Sequence, residues 1–209
     1  MKNKILVAII FLIVSCSLSF AQSKIKVIKA GKPIDVVSGT MLKNQIIIID
    51  SNKIIEIGAN LPIPKDAEVI DLSKYTVLPG LIDCHTHLTW QSDKNYYESI
   101  FKETPLDLAI VAHIYAKRTL DASFTMIRNI GDRNLIDISV RNAINKGLVP
   151  GPRMLVSTFM ISSTGGHGDV TGFNPNLDWK GNKDFTGVAD GVEEIRNACA
   201  IMSNGEPTG

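Results

Sequence analysis

The sequence predicts an α/β protein: a parallel sheet or barrel, preceded by a small β layer. Three observations predict it. Residues 24–78 carry closely spaced β-branched apolar runs. After Pro79-Gly80, strand and helix patterns alternate. The chain has 209 residues, 44% hydrophobic and 21% charged, which is enough for a real core in one domain or in two small ones.

Residues 1–21 read as a targeting segment. Lys2 and Lys4 form a short basic start, and Ile5 to Val14 is an unbroken apolar run of 10 residues. A bilayer span needs ~20 residues, so the run is too short for an anchor. Ser19-Phe20-Ala21 places small residues at −3 and −1 before Gln22, the pattern of a cleaved secretory signal. Ile13-Val14-Ser15-Cys16 offers a second reading, a lipobox with acylated Cys16. Cleavage after Ala21 is preferred, because the lipid reading leaves Leu18, Phe20 and Ala21 as an apolar start to the mature chain. The expected destination is periplasmic or secreted.

Residues 22–78 form the β layer. Ile25, Val27, Ile46–Ile49, Ile54, Ile55 and Ile57 supply apolar strand residues, and Asp50-Ser51-Asn52-Lys53 supplies a hairpin turn. Pro62 and Pro64 mark a loop, and Val69–Leu72 and Tyr75–Leu78 read as two further short strands. About 55 residues are marginal as an independent domain.

Residues 79–209 carry the alternating part. Leu81–Leu88 reads as a strand. A helix follows from Pro105 to about Asp121, with Thr104 as N-cap, Pro105 at N1 and Asp107 in the first turn. Phe124–Ile130 is the next strand. Ile136–Asn145 is helical and stops at Lys146-Gly147. Pro152–Ile161 is a third strand, and 190–203 is a helix with Val192, Ile195, Cys199 and Met202 on one face.

Charge excludes some partners. Lysine and arginine number 22 against 21 acidic residues, which gives no electrostatic reason to expect nucleic acid or an anionic membrane. No segment reads as a stable membrane span. Of three cysteines only Cys84 and Cys199 lie beyond the leader, too few for a disulfide framework.

The residues that carry chemistry are Asp83-Cys84-His85-Thr86-His87. Residues two apart on a strand face the same side, so His85 and His87 present two imidazoles toward one point. Neutral imidazole suits zinc and similar divalent metals. Asp83 shares that parity and is placed to orient a histidine; Cys84 points the other way and is expected to pack. His113 sits at helical spacing from Leu106, Ala109, Ile110 and Leu120, and reads as a structural histidine.

The string Val77-Leu78-Pro79-Gly80-Leu81-Ile82-Asp83-Cys84-His85-Thr86-His87-Leu88 closely resembles the metal motif of the amidohydrolase superfamily. Phe124 to Gly131, Gly151-Pro152-Arg153, Ser163-Thr164-Gly165-Gly166-His167-Gly168-Asp169 and Asp190 to Arg196 narrow the resemblance to its imidazolonepropionase/prolidase-like branch. The resemblance implies a (β/α)8 barrel with a small β-sandwich built from both chain ends. It implies one or two divalent metals, usually zinc, activating water for attack on an amide or peptide C–N bond. His85 and His87 map onto first-strand metal ligands, and His167 onto a loop near the substrate. Arg128, on the second barrel strand, is a candidate for substrate binding or for a structural ion pair. Family members often have Arg-Asp where this chain has Arg128-Asn129, so Asn129 receives no catalytic role. The implied substrate is a dipeptide, N-acyl amino acid, cyclic amide or similar small molecule, and the enzyme is a possible homo-oligomer.

The family's bridging lysine, later histidines and late aspartate have no counterpart in the sequence. From Leu81 onward there are 129 residues, whereas such a barrel needs ~250. The expectation is an N-terminal fragment with the first three barrel strands and part of the sandwich, inactive alone. The competing reading is a noncatalytic, exported metal-binding or scaffold protein.

Overall fold

A computed structural model describes residues 25–90, 94–132, 134–169 and 187–204. The expected leader lies outside the described residues. The chain divides into two compact units at Pro79/Gly80.

The first unit is a five-stranded sheet. Its strands are β1 (Lys26–Asp35), β2 (Thr40–Met41), β3 (Gln45–Asp50), β4 (Lys53–Gly58) and β5 (Glu68–Val77). β1 pairs antiparallel with β2 and β3, β3 antiparallel with β4, and β5 parallel with β1. The hairpin expected at Asp50–Lys53 is present, with Asp50 opposite Lys53 and Ser51 at a φ of 57°. The two short strands expected at 69–72 and 75–78 are instead one strand. The register steps from Ala30↔Leu72 to Lys32↔Thr76, so two extra residues of β5 are absorbed as a bulge while pairing resumes. Val27 and Ala30 are buried, whereas Ile54, Ile57, Val69 and Tyr75 are exposed. A sheet with apolar residues on an open side has a face that is covered only in part.

The second unit is mixed α/β. Among the described residues its strands β6 (Leu81–Thr86), β7 (Phe124–Asn129) and β8 (Arg153–Val156) are parallel and lie in sequence order. Its helices are α1 (Tyr96–Lys102), α2 (Pro105–Asp121), α3 (Ile136–Asn145) and α4 (Val192–Asn204). The start of α2 is a capping box: the Thr104 hydroxyl accepts from the Asp107 N–H, and the Asp107 carboxylate accepts from the Thr104 N–H. α3 ends as expected at Gly147. The Gly147 N–H donates to the Ile144 carbonyl and the Leu148 N–H to that of Ala143, which satisfies two of the helix's last carbonyls. Among the described residues no helix is long and apolar enough to cross a membrane.

The core lies between the sheet and its helices. Ile127, Met154 and Val156 pack with Leu88, Ala112, Ala116, Ile136 and Val140. On the alternate positions Arg128, Arg153 and Leu155 are exposed. This alternation gives the sheet one buried face and one open face.

Other expectations need correction as well. The strand expected over 152–161 stops at Val156, because Thr158 adopts a φ of +69° that no extended strand tolerates. His113 is exposed, not packed, because α2 turns Ala112 and Ala116 to the core and leaves Leu106 and Ile110 outside with it. On α4 Ala198 is buried, while Val192, Ile195 and Cys199 of the expected apolar face are exposed.

Candidate active site

The candidate site gathers at the C-terminal ends of β6, β7 and β8. β6 ends at Thr86, one residue before His87, and the Trp90 N–H closes a turn onto the His87 carbonyl. Despite this early end, the two histidines meet. Their ring centroids lie 5.4 Å apart at an interplanar angle of 77°. Two imidazoles sharing one tetrahedral metal at ~2.0–2.1 Å have ring centres roughly 5 Å apart, and the separation of this pair matches that spacing.

His87 is held on two sides. Its Nδ1 lies 3.1 Å from the Gly131 carbonyl oxygen, and its ring stacks on Trp90 with centroids 5.3 Å apart. A carbonyl can only accept, so this contact places the proton of a neutral imidazole on Nδ1. The Nε2 lone pair is then the one available to a metal. His85 is fixed through its backbone: its N–H donates to the Asp83 carboxylate at 3.0 Å. Asp83 therefore steadies the main chain of His85; the sequence had placed it behind a histidine ring.

Beneath the histidines lies a buried polar cluster that sequence reasoning missed. Asn129 has 0% exposure. Its Oδ1 accepts from the Leu88 N–H at 2.7 Å and the Thr86 hydroxyl at 3.3 Å. Its Nδ2 donates to the Gly131 carbonyl and to the Asp132 and Asp137 carboxylates, each at 3.4 Å. Asp132 also accepts from the Thr89 hydroxyl at 2.5 Å, and Asp137 from the Thr158 and Ile138 N–H groups. Burial pushes the Asp137 carboxyl above its ordinary value, against the lowering effect of those two N–H groups, Asn129 and Arg141. The signal available in the sequence was the run of polar residues Asn129, Asp132 and Asp137 directly after a strand.

The remaining candidates occupy different places. Arg128 is exposed, and its Nε donates to the Cys84 carbonyl at 2.7 Å, a backbone partner where an ion pair had been one of two options. Cys84 is exposed and free; the expectation that it packs fails because its side of β6 is left open. Cys199 is likewise free and exposed. His167 is exposed on the loop after β8. That loop is clasped at both ends. The Thr164 N–H donates to Asp190 Oδ1 at 2.7 Å and its hydroxyl to Asp190 Oδ2, while the Gly165 N–H donates to Asp169 at 2.8 Å. Gly165 has a φ of +72°, a conformation that side chains rarely adopt. The Thr164 hydroxyl, and then its N–H, holds the Asp190 carboxyl below its ordinary value.

His85 and His87 are thus brought together. Among the described residues no cluster of three or more His, Cys, Asp or Glu side chains that could hold a metal is found.

Comparison with known proteins fits this arrangement. Residues 76–206, more than half of the chain, match the Amidohydrolase family. The chain is 29% identical over 197 residues to the ochratoxinase of Aspergillus niger, covering 87% of this chain and 40% of that protein. Its fold superposes on the crystal structure of a Xaa-Pro dipeptidase with methionine bound in the active site, with a TM-score of 0.77 and 34% identity over 89% of this chain and 46% of that one. A prolidase complexed with N-methylphosphonate-L-proline gives a TM-score of 0.73 and 30% identity over 87% of this chain and 44% of the other. The chain spans less than half the length of these relatives, and within that length it carries the paired histidines and the strand order described above. It belongs to the amidohydrolase family, beside the prolidases and ochratoxinase.

Proposed function

We propose that this protein is a metal-dependent hydrolase of C–N bonds, acting on an amide or peptide bond in a dipeptide, N-acyl amino acid, cyclic amide or similar small substrate. The observation that carries the reading is the His85–His87 pair, with Nδ1 of His87 committed to the Gly131 carbonyl. His85 and His87 would hold one of one or two divalent ions, zinc by preference for nitrogen ligands. Such an ion supplies activation of water for attack on a carbonyl. The chain's own residues bind and orient: Trp90 and Gly131 fix the His87 ring, Asp83 fixes the His85 backbone, and Arg128 and His167 stand exposed as substrate contacts. A guanidinium suits the carboxylate of a dipeptide or an N-acyl amino acid.

The proposed architecture is the first three strands of a (β/α)8 barrel, preceded by part of a β-sandwich. Parallel strands in sequence order, with the core helices packed on one face, support the barrel. The open apolar side of the first sheet supports the sandwich, since a second layer would cover it. Further metal ligands, including a general base, would come from outside the described residues. A 10-residue apolar run behind Lys2 and Lys4 supports export with cleavage before Gln22, which N-terminal sequencing of the exported protein checks; an acylated Cys16 would reverse it.

Metal analysis tests the central reading. His85→Ala and His87→Ala should each lower zinc content and amide hydrolysis together in the full-length protein, whereas the exposed His113→Ala should leave zinc stoichiometry unchanged. Loss of zinc on the His113 change alone would invert the assignment.

A further inference from the structure

We infer that Asn129 is a positioning residue for the metal-binding imidazole of His87, an inference that rests on the proposed reading of His85 and His87. Asn129 hydrogen-bonds to neither ring. It acts on both chain segments that fix His87. Its Oδ1 takes the N–H of Leu88, the residue after His87, and the hydroxyl of Thr86, the residue before it. Its Nδ2 takes the carbonyl oxygen of Gly131, the same atom that faces His87 Nδ1.

The chemistry fixes which end of the amide points where. The atom 2.7 Å from the Leu88 N–H must be an acceptor, so it is oxygen. The other end faces a carbonyl and two carboxylates, all acceptors, so it must be nitrogen. Among these partners the amide of Asn129 satisfies both sides. An aspartate here would keep the Leu88 and Thr86 bonds but would turn an oxygen toward Asp132, Asp137 and the Gly131 carbonyl. Full burial makes that arrangement costly, because no water reaches the unpaired oxygens. The Gly131 carbonyl would be displaced, and with it the acceptor that keeps the His87 proton on Nδ1.

The experiment compares Asn129→Asp with the paired exchange of Asn129→Asp and Asp132→Asn in the full-length protein. The pair restores a donor opposite an acceptor between these two positions and keeps the shapes. Two quantities are read: the zinc dissociation constant by chelator competition, and the His87 ring tautomer in the metal-free protein by nitrogen-15 NMR. Asn129→Asp alone should weaken zinc binding by about 10–100-fold and should lose the Nδ1–H tautomer. The paired exchange should recover stability, because it re-pairs positions 129 and 132, but not the tautomer or the zinc affinity, because an oxygen at 129 still faces the Gly131 carbonyl. If Asn129→Asp is too unstable to purify, the paired exchange carries the test: loss of the Nδ1–H tautomer with weaker zinc binding there supports the inference, and retention of both overturns it. A folded Asn129→Asp protein with unchanged zinc affinity and tautomer also overturns it. If the unaltered protein binds no zinc, the metal reading falls, and the tautomer measurement still decides the role of Asn129.

Discussion

The Nδ1 of His87 lies 3.1 Å from the carbonyl oxygen of Gly131, a residue that follows the neighbouring strand β7. The segment just after one strand thus supplies the imidazole, and the segment just after the next supplies the group that orients it. The absence of a side chain at 131 permits the approach. A Cβ there would lie 2.5 Å from Met160 Cγ and 3.3 Å from His87 Cε1. Gly131→Ala should therefore push Met160 aside and tilt the His87 ring. We expect a loss of stability of about 1–3 kcal/mol together with weaker zinc binding. Adding Met160→Ala should relieve the crowding and recover part of the zinc affinity. Denaturant melts and zinc competition on the single and double variants check this, and a Gly131→Ala protein with unaltered zinc affinity would contradict it.

The loop carrying His167 depends on the clasp between Thr164 and Asp190. The Thr164 hydroxyl and N–H both donate to that carboxylate and hold it below its ordinary value. A lowered carboxyl contributes its stabilisation above its unfolded value and loses it as pH falls through its folded value. Thr164→Val removes the hydroxyl contribution and keeps the shape. The Asp190 carboxyl should then titrate closer to the ordinary value, as followed by carbon-13 NMR, and the Gly165 to Gly168 amides should exchange faster. A titration unchanged by the substitution would show that the clasp does not operate in solution.

Asp137 carries the opposite sign. Burial raises its carboxyl above the ordinary 3.8. The folded state then holds the proton more tightly than the unfolded chain, so this group's contribution is fully present below the unfolded value and is lost as pH rises through the folded value. Asp137→Asn cannot ionise, but it surrenders one acceptor for the Thr158 or Ile138 N–H, a cost of about 1–3 kcal/mol. The advantage of the unaltered protein over Asp137→Asn should be greatest in acid and should shrink as pH rises. Urea denaturation at a series of pH values measures it; an advantage that grows with pH would refute the assignment.

The parts of this arrangement that were legible in the sequence are those set by short-range rules. Thr104, Pro105 and Asp107 announce the start of α2 because capping is local chemistry, and Gly147 announces the end of α3 for the same reason. The His85–His87 pair was legible from a two-residue spacing. Asn129 was not. Its function lies in bonds to Thr86 and Leu88, 43 and 41 residues away, and to Asp137 across a loop, and no local pattern encodes those encounters. The exposure of Cys84 and His113 was misread for a related reason. Periodicity says which residues share a face, but whether that face is covered depends on the other elements packed against it.

The 209-residue chain by itself should hydrolyse neither dipeptides nor N-acyl amino acids, even with added zinc. A catalytic zinc site normally uses three protein ligands plus water, and the described residues bring together two histidines. Among the described residues the three-stranded sheet leaves β6 and β8 as edges, and Arg128, Arg153 and Leu155 stand on its open face. Such edges present unpaired backbone groups that favour aggregation. The purified chain should therefore show a broad thermal transition and zinc that a mild chelator removes. A chain extended to the length of its relatives should show a sharper transition and hold zinc that survives dialysis. Zinc-dependent amide hydrolysis by the 209 residues alone, abolished by His87→Ala, would sink this prediction. It would mean that a second copy, or a residue beyond those described, completes the site.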